Sequence, residues 1–315
     1  MRVSWNRILG TAILASAALA SPANIARAQD EQFLMPEQSE AKARAIVQQA
    51  VDALGGSAYL NMKDSTCTGR LGSFDHSGDL TGFGKFIDYE QPPFKERQEN
   101  LPKRNIISVF NGDKGWDLDR GGVSEAPTAD LADFKEDVQK DLDNILRHRI
   151  HEPGINLRYA GPDVVDLKQA KWIEIVDSDD RTIRIAFADN THLPIRKTVE
   201  TRNPRTRFKT SEIEYYSNYH PIGGVMTPFQ ITRERNGIKI FQVFFESCQY
   251  NTGVSDTLFT KESLDQRWAQ IPQREKVRDK KETDRLKEKQ KDDEDADKKG
   301  SPTASKDGGD PMLAR

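Results

Sequence analysis

Residues 229–245 have the sequence FQITRERNGIKIFQVFF, in which apolar and polar side chains alternate on both sides of a central Asn236-Gly237 pair. Alternation with a period of two is typical of an antiparallel strand that buries one face, because successive side chains point to opposite sides. Asn-Gly is a strong signal for a two-residue hairpin turn. The stretch therefore predicts two paired strands, each with an apolar face. Its alternating apolar positions are Phe229, Ile231, Phe241, Val243 and Phe245.

The same alternation recurs along most of the chain and indicates about ten strands between Ser65 and Tyr250. Apolar residues spaced three and four apart predict two helices, from Ser39 to Leu54 and from Ala129 to Arg147. Few helices separate the strands, which excludes the alternating strand–helix order of a doubly wound sheet. The pattern predicts a mainly β (α+β) fold in which the helices cover the apolar face of a single large antiparallel sheet.

The N-terminus has the features of an export signal. Arg2 and Arg7 precede an apolar run over residues 8–20, and a small-x-small pattern ends at Ala28. The run is shorter than the roughly 20 residues that span a bilayer, although a signal anchor is the alternative. We predict a signal peptide over residues 1–28 that is cleaved after Ala28, and no transmembrane segment in the mature chain. A bacterial signal of this type directs the protein to the periplasm.

The charge is distributed unevenly along the chain. The whole sequence carries 47 Lys+Arg and 50 Asp+Glu, a net charge of −3. Residues 273–315 hold 13 basic and 12 acidic side chains, which predicts a charged, largely disordered tail, solvated or tethered to a partner. The remaining domain, residues 29–272, has a net charge of −7. An acidic domain argues against nucleic acid as a partner.

Two cysteines, Cys67 and Cys248, are too few for a four-cysteine zinc site. In an oxidising exported compartment they could form a disulfide. Two separately buried thiols are the alternative, and the sequence leaves both open.

Residue patterns that would fix a reaction or a metal are weak. His148 and His151 lie three apart beside Glu152, but a third histidine is missing from that stretch, and histidine also favours helix C-terminal turns. The nucleophile motif Gly-x-Ser-x-Gly is absent from the sequence. We predict no catalytic residue, no metal site and no cofactor. A hydrolase that uses His148, His151 or His192 is kept as a third hypothesis.

The apolar face of the predicted sheet is the candidate site. If the helices cover it fully, its side chains form only a core. If they cover it in part, the face becomes an apolar cavity suited to an acyl chain or lipid. The candidate cavity residues are Phe83, Phe86, Phe110, Trp116, Trp172, Ile185, Phe187, Tyr215, Phe229, Ile231, Phe241 and Phe245.

Three segments carry a family resemblance: VFNGDKGWDL at residues 109–118, KWIEI at 171–175 and DNTHLPIR at 189–196. They resemble a Gly-turn hairpin followed by Trp, a later strand and a Leu-Pro turn of the bacterial LolA/LolB-like family, the outer-membrane lipoprotein-sorting proteins. The resemblance covers roughly Ala41 to Lys261. The charged tail and the Tyr-rich hairpin at residues 215–224 depart from the family pattern.

The resemblance implies an unclosed, strongly curved β-barrel whose helices lie over a hydrophobic cavity that holds acyl chains. The function it implies is a periplasmic, non-enzymatic carrier or sensor. Its partner would be a lipid or an acylated (lipo)protein. Because one fold serves many functions, we keep an alternative from a different class. This is a structural or interaction protein of the cell envelope, with a plugged cavity, that binds an envelope protein by its outer face or its charged tail.

Overall fold

A computed structural model describes residues 34–179, 181–202 and 207–272. The predicted signal peptide and the predicted charged tail lie outside these described residues.

The described residues form one antiparallel sheet of thirteen strands, which differ in length. The strands are β1 (Ser65–Phe74), β2 (Leu80–Gln91), β3 (Lys95–Leu101), β4 (Ile107–Asn111), β5 (Lys114–Asp119), β6 (Gly122–Glu125), β7 (Asn156–Val165), β8 (Lys168–Val176), β9 (Thr182–Ala188), β10 (Pro194–Arg202), β11 (Lys209–Ile222), β12 (Val225–Arg235) and β13 (Ile238–Tyr250). Their order across the sheet is β6-β5-β4-β3-β2-β1-β13-β12-β11-β10-β9-β8-β7. Because β6 and β7 remain edge strands, the sheet is not closed, and the predicted fold class is confirmed.

The strand count exceeds the sequence-based prediction of about ten. Strands β4, β5 and β6 are only five, six and four residues long. Alternation over so few residues is too brief to separate each strand from its neighbours in sequence alone.

Five α-helices accompany the sheet in the described residues: α1 (Pro36–Leu54), α2 (Ser57–Leu60), α3 (Thr128–Lys140), α4 (Leu142–Arg147) and α5 (Lys261–Gln270). Single 3₁₀ turns occupy Arg149–His151 and Asp256–Phe259. The predicted first helix is confirmed as α1. The predicted helix from Ala129 to Arg147 is two helices, because Asp141 has an extended backbone (φ −60°, ψ 134°).

Helix α1 buries one face against half of the sheet. Ala43, Val47 and Ala50 lie on that face, and the helix packs over β7, β8 and β12. The helix ends at Gly55, whose φ of +131° and close approach to the carbonyl oxygen of Gly224 leave no room for a Cβ atom. This contact joins the C-terminal end of α1 to the hairpin between β11 and β12.

A second core lies on the opposite face of the sheet. Ile107, Val109 and Leu118 from β4 and β5 pack there against Phe259 and Leu264. The last two belong to the second 3₁₀ turn and to α5, so this end of the chain covers the outer face of β3–β6. Helices therefore cover both faces of the sheet, where the sequence predicts them on one.

Two contacts hold β13 to its neighbours in the sheet, a hairpin turn to β12 and a disulfide to β1. Asn236 and Gly237 form the two-residue turn between β12 and β13 with φ values of 52° and 81°, so the predicted hairpin is confirmed. Cys67 on β1 lies opposite Cys248 on β13, and a disulfide joins their sulfur atoms. The bond links strands whose cysteines are 181 residues apart in sequence.

Candidate functional site

A cavity of about 640 Å³ lies between the concave face of the sheet and the helices α3 and α4. These helices follow β6 in the chain and precede β7, so they connect the two edge strands. The volume falls within the range of small-molecule sites, about 300–1,000 Å³. This cavity is the candidate site.

One wall of the cavity is apolar. Alternate residues of β13, Phe241 and Val243, face it together with Phe245, and Ile231 of β12 joins them. Phe134 and Val138 of α3 lie across from these strands. Of the predicted site residues, Ile231, Phe241 and Phe245 therefore line the cavity.

Three more predicted residues pack against side chains that line the cavity. The ring centroids of Phe86 and Phe245 are 6.0 Å apart, and those of Phe229 and Phe245 are 6.5 Å apart. Phe110 stacks on Phe134 with centroids 4.5 Å apart, which holds α3 over the sheet. These rings support the lining.

The other predicted residues lie elsewhere. Ile185 and Phe187 are buried in the core beneath α1. Trp116 packs against the cluster under α5, on the outer face of the sheet. Trp172 packs against a small cluster of β8–β10 and donates its indole N–H to Asp163 (3.1 Å).

Two predicted residues remain. Tyr215 precedes the cavity-lining Tyr216, so its ring points to the other face, where its hydroxyl donates to Glu234 (3.4 Å). Phe83 lies at the rim of the sheet, with 58% of its surface exposed. Alternation groups residues by face, but it does not say which face a helix leaves open.

The second wall of the cavity is acidic, which the alternation of apolar residues does not predict. Seven carboxyl groups line the cavity, against two basic side chains. The carboxyl groups are Asp88 and Glu90 of β2, Glu96 of β3, Asp137 of α3, Asp141 between the helices, Asp143 of α4 and Glu214 of β11. The signal for three of them is present in the sequence. Phe86, Asp88 and Glu90 alternate on one face of β2, and Glu90 lies opposite Glu96.

The carboxyl groups nearest the basic side chains form ion pairs with them. Glu214 accepts from Lys197 (2.7 Å) and from Arg233 (2.5 Å). Although burial opposes ionisation, these two cations lower the pKa of Glu214 to about 2. Arg233 also contacts Asp137 at 3.1 Å, and the cavity's other basic residue, Lys95, contacts Asp256 at 2.8 Å.

The carboxyl groups that β2 and β3 place in the cavity make no ion pair with a lysine or arginine among the described residues, although the charge of Arg233 acts on Glu96. Burial and the charge of Glu96 raise the pKa of Glu90 to about 8, and Ser65 donates a hydrogen bond to Glu90 (3.0 Å). Burial and the charge of Asp137 raise the pKa of Glu96 to about 7. Burial, followed by the charges of Glu90 and Glu96, raises the pKa of Asp88 well above its usual range. Near neutral pH, Glu90 is therefore mostly protonated and Glu96 is partly protonated.

Two acidic side chains of the helices face the same space. Asp141 accepts the backbone N–H of Asn144 (2.7 Å), and burial followed by the charge of Asp143 raises the pKa of Asp141 to about 6. Asp143 accepts from the hydroxyl of Tyr59 (2.8 Å). Burial nevertheless raises the pKa of Asp143.

The histidines lie away from the cavity lining. His148 follows α4, and burial followed by the charge of Arg147 lowers its pKa. His151 ends a 3₁₀ turn, and His192 occupies a turn with a φ of +57°. Among residues 34–179, 181–202 and 207–272, no group of His, Cys, Asp or Glu side chains could hold a metal ion. Within the same ranges, no helix is long and apolar enough to cross a bilayer.

The structure is similar to that of a DUF1329 family protein from Desulfovibrio piger, with a TM-score of 0.51 and 15% sequence identity. The match covers 70% of this chain and 98% of the other. At this identity the similarity shows the fold alone. Neither a protein-family model nor a curated protein sequence matches the chain.

Two further solved structures are named for the family that the sequence resembles. One is a putative outer membrane lipoprotein-sorting protein domain from Vibrio parahaemolyticus, with a TM-score of 0.49, 10% identity and coverage of 72% and 99% of the two chains. The other is a LolA superfamily protein from Nitrosomonas europaea, with a TM-score of 0.47, 11% identity and coverage of 70% and 99%. These two similarities say nothing about a ligand or an activity.

Proposed function

We propose that the protein is a periplasmic, non-enzymatic carrier or sensor that binds a lipid or an acylated (lipo)protein in the cavity beneath α3 and α4. The observation that supports this proposal is the apolar wall formed by Ile231, Phe241, Val243 and Phe245, opposite Phe134. An acyl chain laid against it would leave water, and each buried methylene would contribute about 0.8 kcal/mol.

The proposed location rests on two features. Residues 1–28 have the order of charge, apolar run and small residues of a signal peptide. The disulfide between Cys67 and Cys248 fits an oxidising compartment, where such bonds persist.

A second candidate function is an interaction protein of the envelope. Its support is a set of exposed apolar side chains on β2 and β13, two strands that β1 separates in the sheet. Leu80 and Phe83 are each 58% exposed, and Ile238 and Phe244 are each 38% exposed. Larger exposed apolar patches are typical of partner-binding surfaces.

One experiment separates the two functions. The purified protein is analysed by native mass spectrometry for bound lipid, and then titrated with the neutral fluorescent probe N-phenyl-1-naphthylamine, with dodecanol as competitor. The carrier predicts bound lipid or probe that dodecanol displaces. A variant Val243→Trp, which fills the cavity, should weaken probe binding at least about tenfold.

The matched control is Phe244→Trp, the same replacement one residue later, on a side chain that is partly exposed outside the cavity lining. It should bind the probe as the wild type does. Absence of lipid and of probe binding in the wild type would refute the carrier and leave the interaction protein.

A further inference from the structure

Strand β2 extends beyond its neighbour β3, so part of it lies at an open edge of the sheet. Its pairing with β3 ends at Lys85, whereas its pairing with β1 continues to Leu80. Among the described residues, Leu80–Gly84 therefore have a strand neighbour on one side only, and all five are exposed. The register with β1 is regular from Gly82 to Glu90. We call Leu80–Gly84 the open edge.

The backbone of Phe83 is directed to the free side of the open edge. Asn100 of β3 donates its backbone N–H to Ile106 on the β4 side (2.9 Å), so the neighbouring Leu101 faces Lys85 of β2. Successive residues of an antiparallel strand direct their N–H and C=O groups to alternate sides. Because Phe83 precedes Lys85 by two residues, its N–H and C=O point away from β1, where a further strand could pair with them.

The two strands that end the sheet are protected against such pairing. On β7, the Ser39 hydroxyl accepts the N–H of Tyr159 (3.0 Å) and donates to the carbonyl oxygen of Tyr159 (3.4 Å). Pro162 of the same strand has no N–H to donate. Strand β6 is only four residues long. Such devices limit pairing with other chains. The open edge of β2 is instead exposed along its whole length.

A groove of about 260 Å³ lies at the open edge and adjoins the main cavity. It is lined by residues 82–86 of β2, Leu71 and Ser73 of β1 and Asn100 of β3. Leu71 and Ser73 also line the main cavity. Among the described residues, no heavy atom lies within 4 Å of a Cβ atom placed on Gly82 or Gly84. Glycine inside a strand often marks a close approach of another backbone, and here it leaves space for the side chains of an added strand.

The two ends of the open edge carry opposite charges. At one end, the Lys85 side chain is 53% exposed and contacts Glu246 at 3.5 Å. Lys103, in the turn that follows β3, is exposed near the same end. At the other end, the exposed Asp79 precedes Leu80. A segment antiparallel to β2 would complement these charges with an acidic residue before its paired part and a basic residue after it.

The glycines also decide between the possible occupants of the open edge. A second copy of this chain, paired about Phe83, would place Gly82 opposite Gly84 and leave the groove empty. The segment 273–315 has only four large apolar side chains, Val277, Leu286, Met312 and Leu313. No two of these are two residues apart, although a strand fills one face at alternate positions. A partner protein with alternating large apolar side chains fits the groove better than either.

We infer that the open edge is a docking site for an extended segment of a partner polypeptide, which adds to β2 as an antiparallel strand. The N–H and C=O of Phe83 bond to the backbone of this segment, as in strand addition at other sheet edges. Two large apolar side chains of the segment, separated by one residue, cover Gly82 and Gly84. Aromatic rings suit these positions, because a ring beside a strand glycine shields its backbone. The site does not require an acyl chain, so it goes beyond the proposed function.

The probe is the peptide acetyl-Glu-Thr-Phe-Thr-Phe-Thr-Lys-amide, whose two rings lie on one face of a strand. It is titrated into the ¹⁵N-labelled full-length mature protein and followed by NMR. The amide signals of Gly82, Phe83 and Gly84 should shift, with a Kd of about 1 mM or lower. The scrambled peptide acetyl-Glu-Thr-Phe-Phe-Thr-Thr-Lys-amide has the same composition but places its rings on opposite faces. It should bind at least about tenfold more weakly.

A pair of variants tests the backbone contact. Phe83→Pro removes the N–H on the free side, where an edge strand accepts proline. Phe83→Ala is the matched control, because it also removes the ring but keeps the N–H. The proline variant should bind the peptide at least about tenfold more weakly than the alanine variant. N-methylation of the central threonine of the peptide should cause a similar loss with the wild-type protein, whose fold is unchanged.

Each other outcome would overturn the inference. Equal binding of the two peptides, or of the proline and alanine variants, would exclude strand addition. Absence of shifts at Gly82–Gly84 with millimolar peptide would exclude docking of a polypeptide. Protection of the Phe83 N–H from hydrogen exchange without peptide would assign the edge to a second copy if it grows with protein concentration, and to residues 273–315 if it does not. The carrier proposal is tested separately, since Phe83→Pro should bind lipid and probe as the wild type does.

Discussion

Glu90 is an acidic residue at a strand position that faces the cavity, and the alternation of apolar residues does not predict it. Its side chain occupies the interior side of a strand, where an apolar residue would be expected, and it faces another carboxyl group across the sheet. The fold tolerates the pair because both groups can hold protons, as their raised pKa values indicate. The site therefore depends on pH even before a ligand is considered.

The first prediction concerns stability as a function of pH. Glu90 and Glu96 have folded-state pKa values of about 8 and about 7, above the ordinary value of 4.5, so the folded protein binds more protons than the unfolded chain. Their stabilising contribution is complete below about pH 4.5 and is lost as the pH rises to about 8. Urea unfolding should show that the free energy of unfolding decreases by about 1–3 kcal/mol from pH 5 to pH 8. This is less than the two pKa shifts would give in full, because water in the cavity screens the two groups.

The matched variant Glu90→Gln with Glu96→Gln should reduce this dependence, because glutamine does not titrate. The part that remains is due to Asp141, whose pKa of about 6 lies in the same range. Glu214 does not interfere in this range, since its pKa of about 2 keeps it ionised in the folded protein throughout. A wild-type stability that stays constant or rises from pH 5 to pH 8 would show that these carboxyl groups are solvated like surface groups.

At the scale of elements, the break between α3 and α4 shapes the cavity. The apolar spacing from Leu131 to Leu146 predicts one helix, and the structure has two. The reason is Asp141, whose side chain accepts the N–H of Asn144 and so begins α4 as an N-cap. When an aspartate lies between apolar residues at helical spacing, the sequence alone does not show whether it caps a new helix or lies on the solvent-exposed face of one continuous helix.

The second prediction tests this cap. Asp141→Asn keeps an N-cap acceptor and removes an acidic group whose pKa burial raises to about 6, so its stability at pH 7 should equal or exceed that of the wild type. Asp141→Ala removes both, and it should be less stable than Asp141→Asn by about 0.5–2 kcal/mol. The measurement is chemical unfolding of both variants at pH 7. Equal stabilities would mean that the hydrogen bond from Asn144 does not stabilise α4.

At the scale of the whole molecule, the sequence predicts the architecture better than the site. Alternation finds the strands, Asn236-Gly237 finds a hairpin, and both are local features. Which face is open is a tertiary property. Trp116 and Phe110 are both aromatic strand residues, yet α5 covers the first on the outer face and Phe134 of α3 stacks on the second. Alternation cannot separate them, because both faces of the sheet are covered.

The continuity of the sheet also depends on a contact distant in sequence. Strand β1 is the first strand in the chain and β13 is the last, yet they pair directly near the centre of the sheet. Every other adjacent pair of strands is consecutive in the chain. Bringing β1 and β13 together therefore carries the largest loop-closure entropy in the fold, and the disulfide between Cys67 and Cys248 removes that cost from the unfolded state.

The third prediction follows from this arrangement. Reduction of the disulfide should lower the free energy of unfolding by up to roughly 5 kcal/mol, because the loop that it closes spans 181 residues. The measurement is urea unfolding of the wild type with and without dithiothreitol. The variant Cys67→Ser with Cys248→Ser serves as the control, since its unfolding should not respond to the reductant. If the wild type unfolds at the same urea concentration in both conditions, the pairing of β1 with β13 is maintained by strand contacts alone.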